Sequence, residues 1–145
     1  MCSQRTRDAR CGQSAPLLQR EFERHLRPLG LYRDMHDQRP GGVGIYFISH
    51  VGGHKFAANV MIYRRADAVV KNTSKGEAEV NGNGLAKEKV VVGRMGEGAQ
   101  CIWLARVRPE DCEGIVKYTV LQGKVVKPQS QLRGGFDREK GLVSW

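Results

Sequence analysis

An α/β fold, a mixed sheet flanked by helices, follows from three patterns in the chain. Leu18, Phe22, Leu26 and Leu29 recur at helical spacing, with Arg20, Glu21, Glu23 and Arg24 on the other side. Three short runs rich in β-branched and aromatic residues have the length and composition of strands: residues 43–49 (VGIYFIS), 59–63 (NVMIY) and 100–107 (QCIWLARV). A second helix is bracketed by Pro109 at its start and Gly123 at its end.

Each element has local signals. Ser14 is placed to cap the first helix, with Pro16 in the first turn, so that helix is expected over residues 14–29. Residues 34–44 (DMHDQRPGGVG) are a loop by composition, and the 43–49 run reads as a buried strand. Residues 64–99 are rich in Lys, Glu, Gly and Asn and lack periodicity. They are expected to form a disordered insertion between two hairpin strands. In the second helix Glu110 and Asp111 fill the first turn, where carboxylates suit the helix dipole. Cys112, Ile115, Val116, Thr119 and Val120 share one face, which makes Cys112 a core residue; Cys101, on a strand, is also read as structural. The domain is expected to run from residue 1 to 126, followed by a tail over 127–145.

Composition narrows the function. A chain of 145 residues makes one domain. Hydrophobic content is 40%, mean hydropathy is -0.47, and no apolar run nears the ~18 residues of a membrane span. Residues 2–11 (CSQRTRDARC) contain no apolar signal core, so secretion is not expected. Four cysteines are too few for a disulfide framework; a reducing compartment suits them as thiols or metal ligands. The net charge of +9 fits nucleic acid or an acidic protein. Its spread along the chain, with no aromatic-studded basic ribbon, argues against nucleic acid and leaves an acidic redox partner.

The chemistry concentrates in two loops. Cys2 and Cys11 precede the first helix; His50 and His54 follow the first strand, separated by Val51, Gly52 and Gly53. In an α/β layout a strand end and the next parallel strand end share one sheet edge, so the two loops would face each other. Three readings stand. The histidines are loop residues and the thiols are free. Or the four ligate one zinc ion, though a Cys-x8-Cys pair is wider than a zinc knuckle. Or they hold a [2Fe–2S] cluster, whose length suits the wide loop, with Gly52 and Gly53 letting backbone N–H groups approach its sulfides. His25 and His36 read as solvated residues.

The segments CSQRTRDARCG, YFISHVGGHKFAANVMIY and IWLARVRPEDCEGIVKYTVLQGKVV together resemble the sucrase/ferredoxin-like family, thioredoxin-like ferredoxins of fungi and plants. The resemblance implies a thioredoxin-like fold and a [2Fe–2S] cluster held by Cys2, Cys11, His50 and His54, with imidazoles where related ferredoxins place a second cysteine pair. It implies an electron carrier rather than an enzyme with its own substrate, at a potential raised by the neutral ligands and coupled to protons. Arg5, Arg7 and Arg10 read either as charges that stabilise the reduced site or dock a partner, with Arg7 and Arg10 nearest the site, or as solvated charges. Gln4 replaces the family's usual histidine. The family also places an apolar strand directly before the first cysteine, where this chain has only Met1. The expectation is a chain lacking that strand, with residues 43–49 missing their parallel neighbour and autonomous stability poor. The last residues, Leu142-Val143-Ser144-Trp145, resemble the termini by which cytosolic iron–sulfur assembly machinery recognises its clients, which points to the cytoplasm, with mitochondria as the alternative. The rival functions are a zinc-stabilised binding module and a cluster-free thiol oxidoreductase using Cys2 and Cys11.

Overall fold

The computed structural model describes residues 1–6, 8–39, 41–49, 55–65, 68, 98–138 and 141–143. Among them the elements run α1 (Ala9–Leu26), β1 (Tyr32–Arg33), β2 (Val43–Gly44), β3 (Val60–Arg65) and β4 (Gly98–Leu104). A helical run, α2, follows: a 3₁₀ turn over Pro109–Asp111, an α-turn over Cys112–Gly114 and wider π-type turns over Ile115–Val120. The short helix α3 (Pro128–Gln131) leads into β5 (Leu132–Asp137) and β6 (Gly141–Val143). The fold is α/β with parallel and antiparallel pairing. β3, β4, β5 and β6 form an antiparallel sheet in that order, and β1 pairs with β2 in parallel. No helix among the described residues is long and apolar enough to cross a membrane.

One face of the antiparallel sheet receives both helices. Val60, Ile102 and Leu104 from the strands meet Leu18, Phe22 and Leu26 from α1 and Cys112, Ile115 and Val116 from α2. Their even spacing on β3 and β4 follows from the two-residue strand period. Leu18, Leu26, Ile102 and Leu104 are all at 1% exposure, and each contributes about 1.5–3 kcal/mol relative to an exposed position. At the far end of the same face Arg64 is buried. Its guanidinium donates to the Val120 and Leu121 carbonyls at the end of α2 and to Gln100 Oε1. Those carbonyls are the negative end of the helix, so the buried cation meets partial negative charge. Gly123, at φ 72, closes α2, and a Cβ there would collide with the Arg64 guanidinium.

Several expectations change. The first helix starts at Ala9, not at Ser14: Asp8 caps it, and Ser14 Oγ donates to the Cys11 carbonyl. Pro16 lies inside the helix, and Leu29 lies beyond its end, 53% exposed. The run over 43–49 is a strand only at Val43–Gly44. It is not buried: Tyr46, Phe47 and Ile48 are 57%, 47% and 40% exposed. It also has parallel neighbours. β1 pairs along β2, while the Met1 amino group donates to the Tyr46 carbonyl, Ile48 N–H to the Met1 carbonyl, and Ser3 N–H to the Ile48 carbonyl. The stretch after Lys127, read as a tail, supplies α3, β5 and β6 and widens the sheet. Most of the insertion expected over 64–99 lies outside the described residues.

Candidate metal centre

Cys2 and Cys11 reach one place from two elements. Cys2 lies between two strand segments. Its backbone bridges Ile48 in parallel on one side and donates to the Asn59 carbonyl at 3.0 Å on the other. Cys11 is the third residue of α1, and its N–H donates to the carbonyl of the capping Asp8 at 3.0 Å. The turn between them folds onto the helix because residue 12 is glycine: a Cβ there would sit 3.0 Å from the Arg5 Cα. This gives the glycine of RDARCG a steric reason.

The two thiols are buried, free, and near enough that the Cys2 sulfur acts on the Cys11 sulfur. Burial pushes the Cys11 thiol up; the Ala58 N–H, directed at its sulfur, opposes this, and the Cys2 sulfur and Asp8 add to the rise. Ala58 holds a left-handed conformation at φ 52, which a non-glycine residue adopts at a cost. Asn59 anchors that turn: its amide donates to the Phe56 carbonyl at 2.7 Å and accepts from the Trp103 indole at 3.2 Å. Paired thiols of this kind fit a soft metal or an iron–sulfur group, which binds the thiolate and displaces the proton that burial retains.

His50, His54, Gly52, Gly53 and Arg7 lie outside the described residues, as do Ser144 and Trp145. The flanks of the histidine segment are described, and both meet Cys2: Ile48 before it and Asn59 after it. Among the described residues there is no group of three or more His, Cys, Asp or Glu around a common point. Arg10 binds the Asp8 carboxylate through Nε at 3.0 Å and Nη2 at 2.9 Å, so it braces the helix cap; its charge also favours the Cys11 thiolate. Val143 is the last residue of β6.

The other two cysteines are placed differently. Cys112 is fully buried in the core, its thiol donates to the Arg108 carbonyl, and burial beside Glu21 and Asp111 pushes it up to about 12. Cys101 is buried opposite Tyr63 in the β3–β4 ladder, and burial pushes its thiol up as well. His25 lies 3.8 Å from Glu21 on α1. The sequence reading had no signal for Ala58 and Asn59. A left-handed alanine and a bridging asparagine look like any polar strand entry until the neighbouring strand is in place.

Comparison with known proteins gives the family. A profile of the sucrase/ferredoxin-like family matches residues 1–134. Actin patches distal protein 1 of Saccharomyces cerevisiae is 58% identical over 65 residues, 45% of this chain and 21% of that protein. Altered inheritance of mitochondria protein 32 of Clavispora lusitaniae is 32% identical over 127 residues, 88% of this chain and 31% of that protein. The protein of the same name from Meyerozyma guilliermondii matches to the same extent. The chain thus spans about a third or less of the length of these relatives. No solved structure matches it.

Proposed function

The chain belongs to the sucrase/ferredoxin-like family, and we propose that it is an electron-transfer protein binding a [2Fe–2S] cluster through Cys2, Cys11, His50 and His54. The observation that carries the reading is the pair of free, buried thiols, one from a strand segment and one from the first turn of α1, with the histidine segment flanked by Ile48, which bonds Met1 and Ser3 on either side of Cys2, and by Asn59, which bonds Cys2 itself. A thioredoxin-like arrangement is part of the proposal. It is supported by the order of segments across the sheet: residues 46–48, then 1–3 in parallel, then Asn59 leading into β3, then β4.

When bound, the cluster supplies one reversibly held electron. The protein groups set the conditions. Two thiolates carry two fewer negative charges than four would, so the site accepts an electron more readily. The Ala58 N–H at Cys11 and the nearby Arg10 charge stabilise the thiolate in the same direction. Each imidazole keeps a second ring nitrogen that takes up a proton more readily once negative charge arrives, which couples potential to pH. A redox protein is the proposed partner. The assembly machinery is proposed to recognise Val143, Ser144 and Trp145, which favours the cytosol over the mitochondrion as the compartment. Unchanged cluster loading in cells after deletion of Trp145 would refute that recognition.

Visible and electron paramagnetic resonance spectra of anaerobically purified protein, before and after dithionite and across pH, test the function beside Cys11→Ala and His54→Cys. A red-brown protein with a signal on reduction and a pH-dependent potential is expected. A colourless protein with stoichiometric zinc would replace the reading with a zinc-stabilised binding module. A colourless, metal-free protein with alkylatable Cys2 and Cys11 would replace it with a thiol oxidoreductase.

A further inference from the structure

Phe56 stands one residue beyond the described start of the loop that follows the histidine segment, and cations gather on it. The Arg133 guanidinium lies 3.7 Å from its ring centroid, that of Arg106 4.4 Å, and the Lys55 ammonium 5.7 Å. Two irregularities of the backbone bring the arginines there. Arg106 holds a left-handed conformation at φ 56, a position that glycine fills without cost. Arg133 is skipped in the β4–β5 ladder, where Trp103 pairs with Gly134 and Leu104 with Leu132, so it is the extra residue of a bulge. A bulge re-aims its side chain away from the regular strand direction. A conformational cost tolerated at Arg106 and a bulge at Arg133, with both side chains ending on one ring, mark the cluster as something the fold maintains.

Among the described residues the cluster lacks the carboxylate partners that Arg10, Arg27 and Arg39 have. Arg10, Arg27 and Arg39 each sit within 3 Å of a carboxylate, on Asp8, Glu23 and Asp37. Among the described residues no carboxylate forms an ion pair with Lys55, Arg106 or Arg133, and all three are exposed. Like charges held together with no counter-charge attract an external one.

The position ties the cluster to the thiols. Arg106 N–H donates to the Ala57 carbonyl at 2.9 Å and Val107 N–H to the Ala58 carbonyl, while the Ala58 N–H meets Cys11. On the opposite flank of Cys2 stand the exposed Tyr46, Phe47 and Ile48. Basic residues on one side of a buried site and exposed apolar residues on the other reproduce the mixed anatomy of a transient protein interface.

We propose that Lys55, Arg106 and Arg133, gathered on Phe56, form the docking surface for an acidic electron-transfer protein that exchanges electrons at the Cys2–Cys11 site; the role assigned to the partner rests on the cluster reading above. A protein is favoured over nucleic acid because two guanidiniums already lie over the Phe56 ring, leaving it unavailable to stack on a base.

The test uses a fluorescently labelled flavodoxin, an acidic redox protein, and reads binding to the full chain by anisotropy at low and high salt. No loaded cluster is needed for this readout, so failure of docking and failure of the cluster reading appear in separate measurements. Lys55→Gln, Arg106→Gln and Arg133→Gln combined are expected to weaken low-salt binding about tenfold. Arg20→Gln, Arg24→Gln and Lys117→Gln combined remove the same charge from exposed helix positions and are expected to have less than about a third of that effect. Arg106→Gly, which relieves the left-handed strain, is expected to weaken binding while leaving Tm unchanged or raised. Equal losses in the two triple variants would reduce the effect to net charge and overturn the proposal. So would a greater dependence on the patch for a labelled RNA oligonucleotide or for phosphatidylserine vesicles than for flavodoxin.

Discussion

The two helices begin alike and end up with opposite cysteines. In α1, Asp8 caps the helix and Cys11 lies in the first turn, buried. In α2, Asp111 accepts the Arg108 N–H at 2.9 Å and Cys112 follows directly, also buried. Helix dipole, a nearby carboxylate and burial are common to both. What separates them is the second layer of neighbours. Cys11 faces another sulfur and the Ala58 N–H. Cys112 faces the apolar side chains of α1 and β4 and donates to its own helix backbone. A cysteine in the first turn of a helix is therefore not a site by itself; a second thiol delivered from another element makes Cys11 the candidate.

The largest contrast is expected in thiol chemistry. With its thiol at about 12, Cys112 should alkylate in the native protein at pH 8 about a thousandfold more slowly than an ordinary free cysteine. Peptide mapping after timed iodoacetamide treatment reads the rate. A Cys112 rate within tenfold of a free cysteine would break the contrast. Metal loading comes next. If the proposed cluster is bound, Cys11→Ala should lower bound iron by about tenfold or more, and Cys112→Ala should leave loading per folded molecule unchanged. Iron analysis of the folded fraction checks both.

Stability should reverse the ranking of the two helix starts. Asp111 is buried and joins Lys127, Gln131 and the Arg108 N–H, tying α2 to α3. Asp111→Ala strands those donors and should cost about 2–3 kcal/mol in urea unfolding. Asp8→Ala, at a half-buried cap whose side-chain partner is the exposed Arg10, should cost clearly less, and an equal cost would show that the deeper burial of Asp111 is irrelevant. The smallest effect is the pH dependence. Burial raises the Asp111 carboxyl, but Lys127, the Arg108 N–H and Gln131 outweigh it and leave it below the ordinary 3.8. Its folded form therefore binds the proton more weakly than the unfolded chain. The resulting stability is fully present above the ordinary value and fades as pH falls below it. Asp111→Asn should flatten the acid limb of a Tm-against-pH profile below about pH 4.

The sequence carried some of these elements clearly. β3, β4 and α2 lie close to where alternation, Pro109 and Gly123 place them. The start of α1 was obscured because Ser14 and Pro16 imitate a helix start, although Cys11 and Ala15 already continue the buried face of Leu18, Phe22 and Leu26 back towards Asp8. β5 was illegible for a different reason. Its LRGGFD sequence has no apolar alternation, and its glycines look like a loop. Gly135 is there because a Cβ would collide with the Cys101 carbonyl of the neighbouring strand, a constraint that exists only once that strand lies alongside. At the site, the sequence named the two thiols; Ala58, Asn59 and the cations on Phe56 were silent.

Composition, periodicity and the spacing of cysteines and histidines determined the α/β class, the core faces of the helices and which thiols to suspect, because those depend on local propensity and on burying one face. Only the tertiary structure decided that Cys2 and Cys11 share a neighbourhood while Cys112 does not, and that Arg106 and Arg133 end on one aromatic ring. Cys2 and Cys11 share one short stretch of sequence, but a helix start and a strand segment bring them together; Arg106 and Arg133 reach Phe56 from distant parts of the chain through a left-handed residue and a bulge.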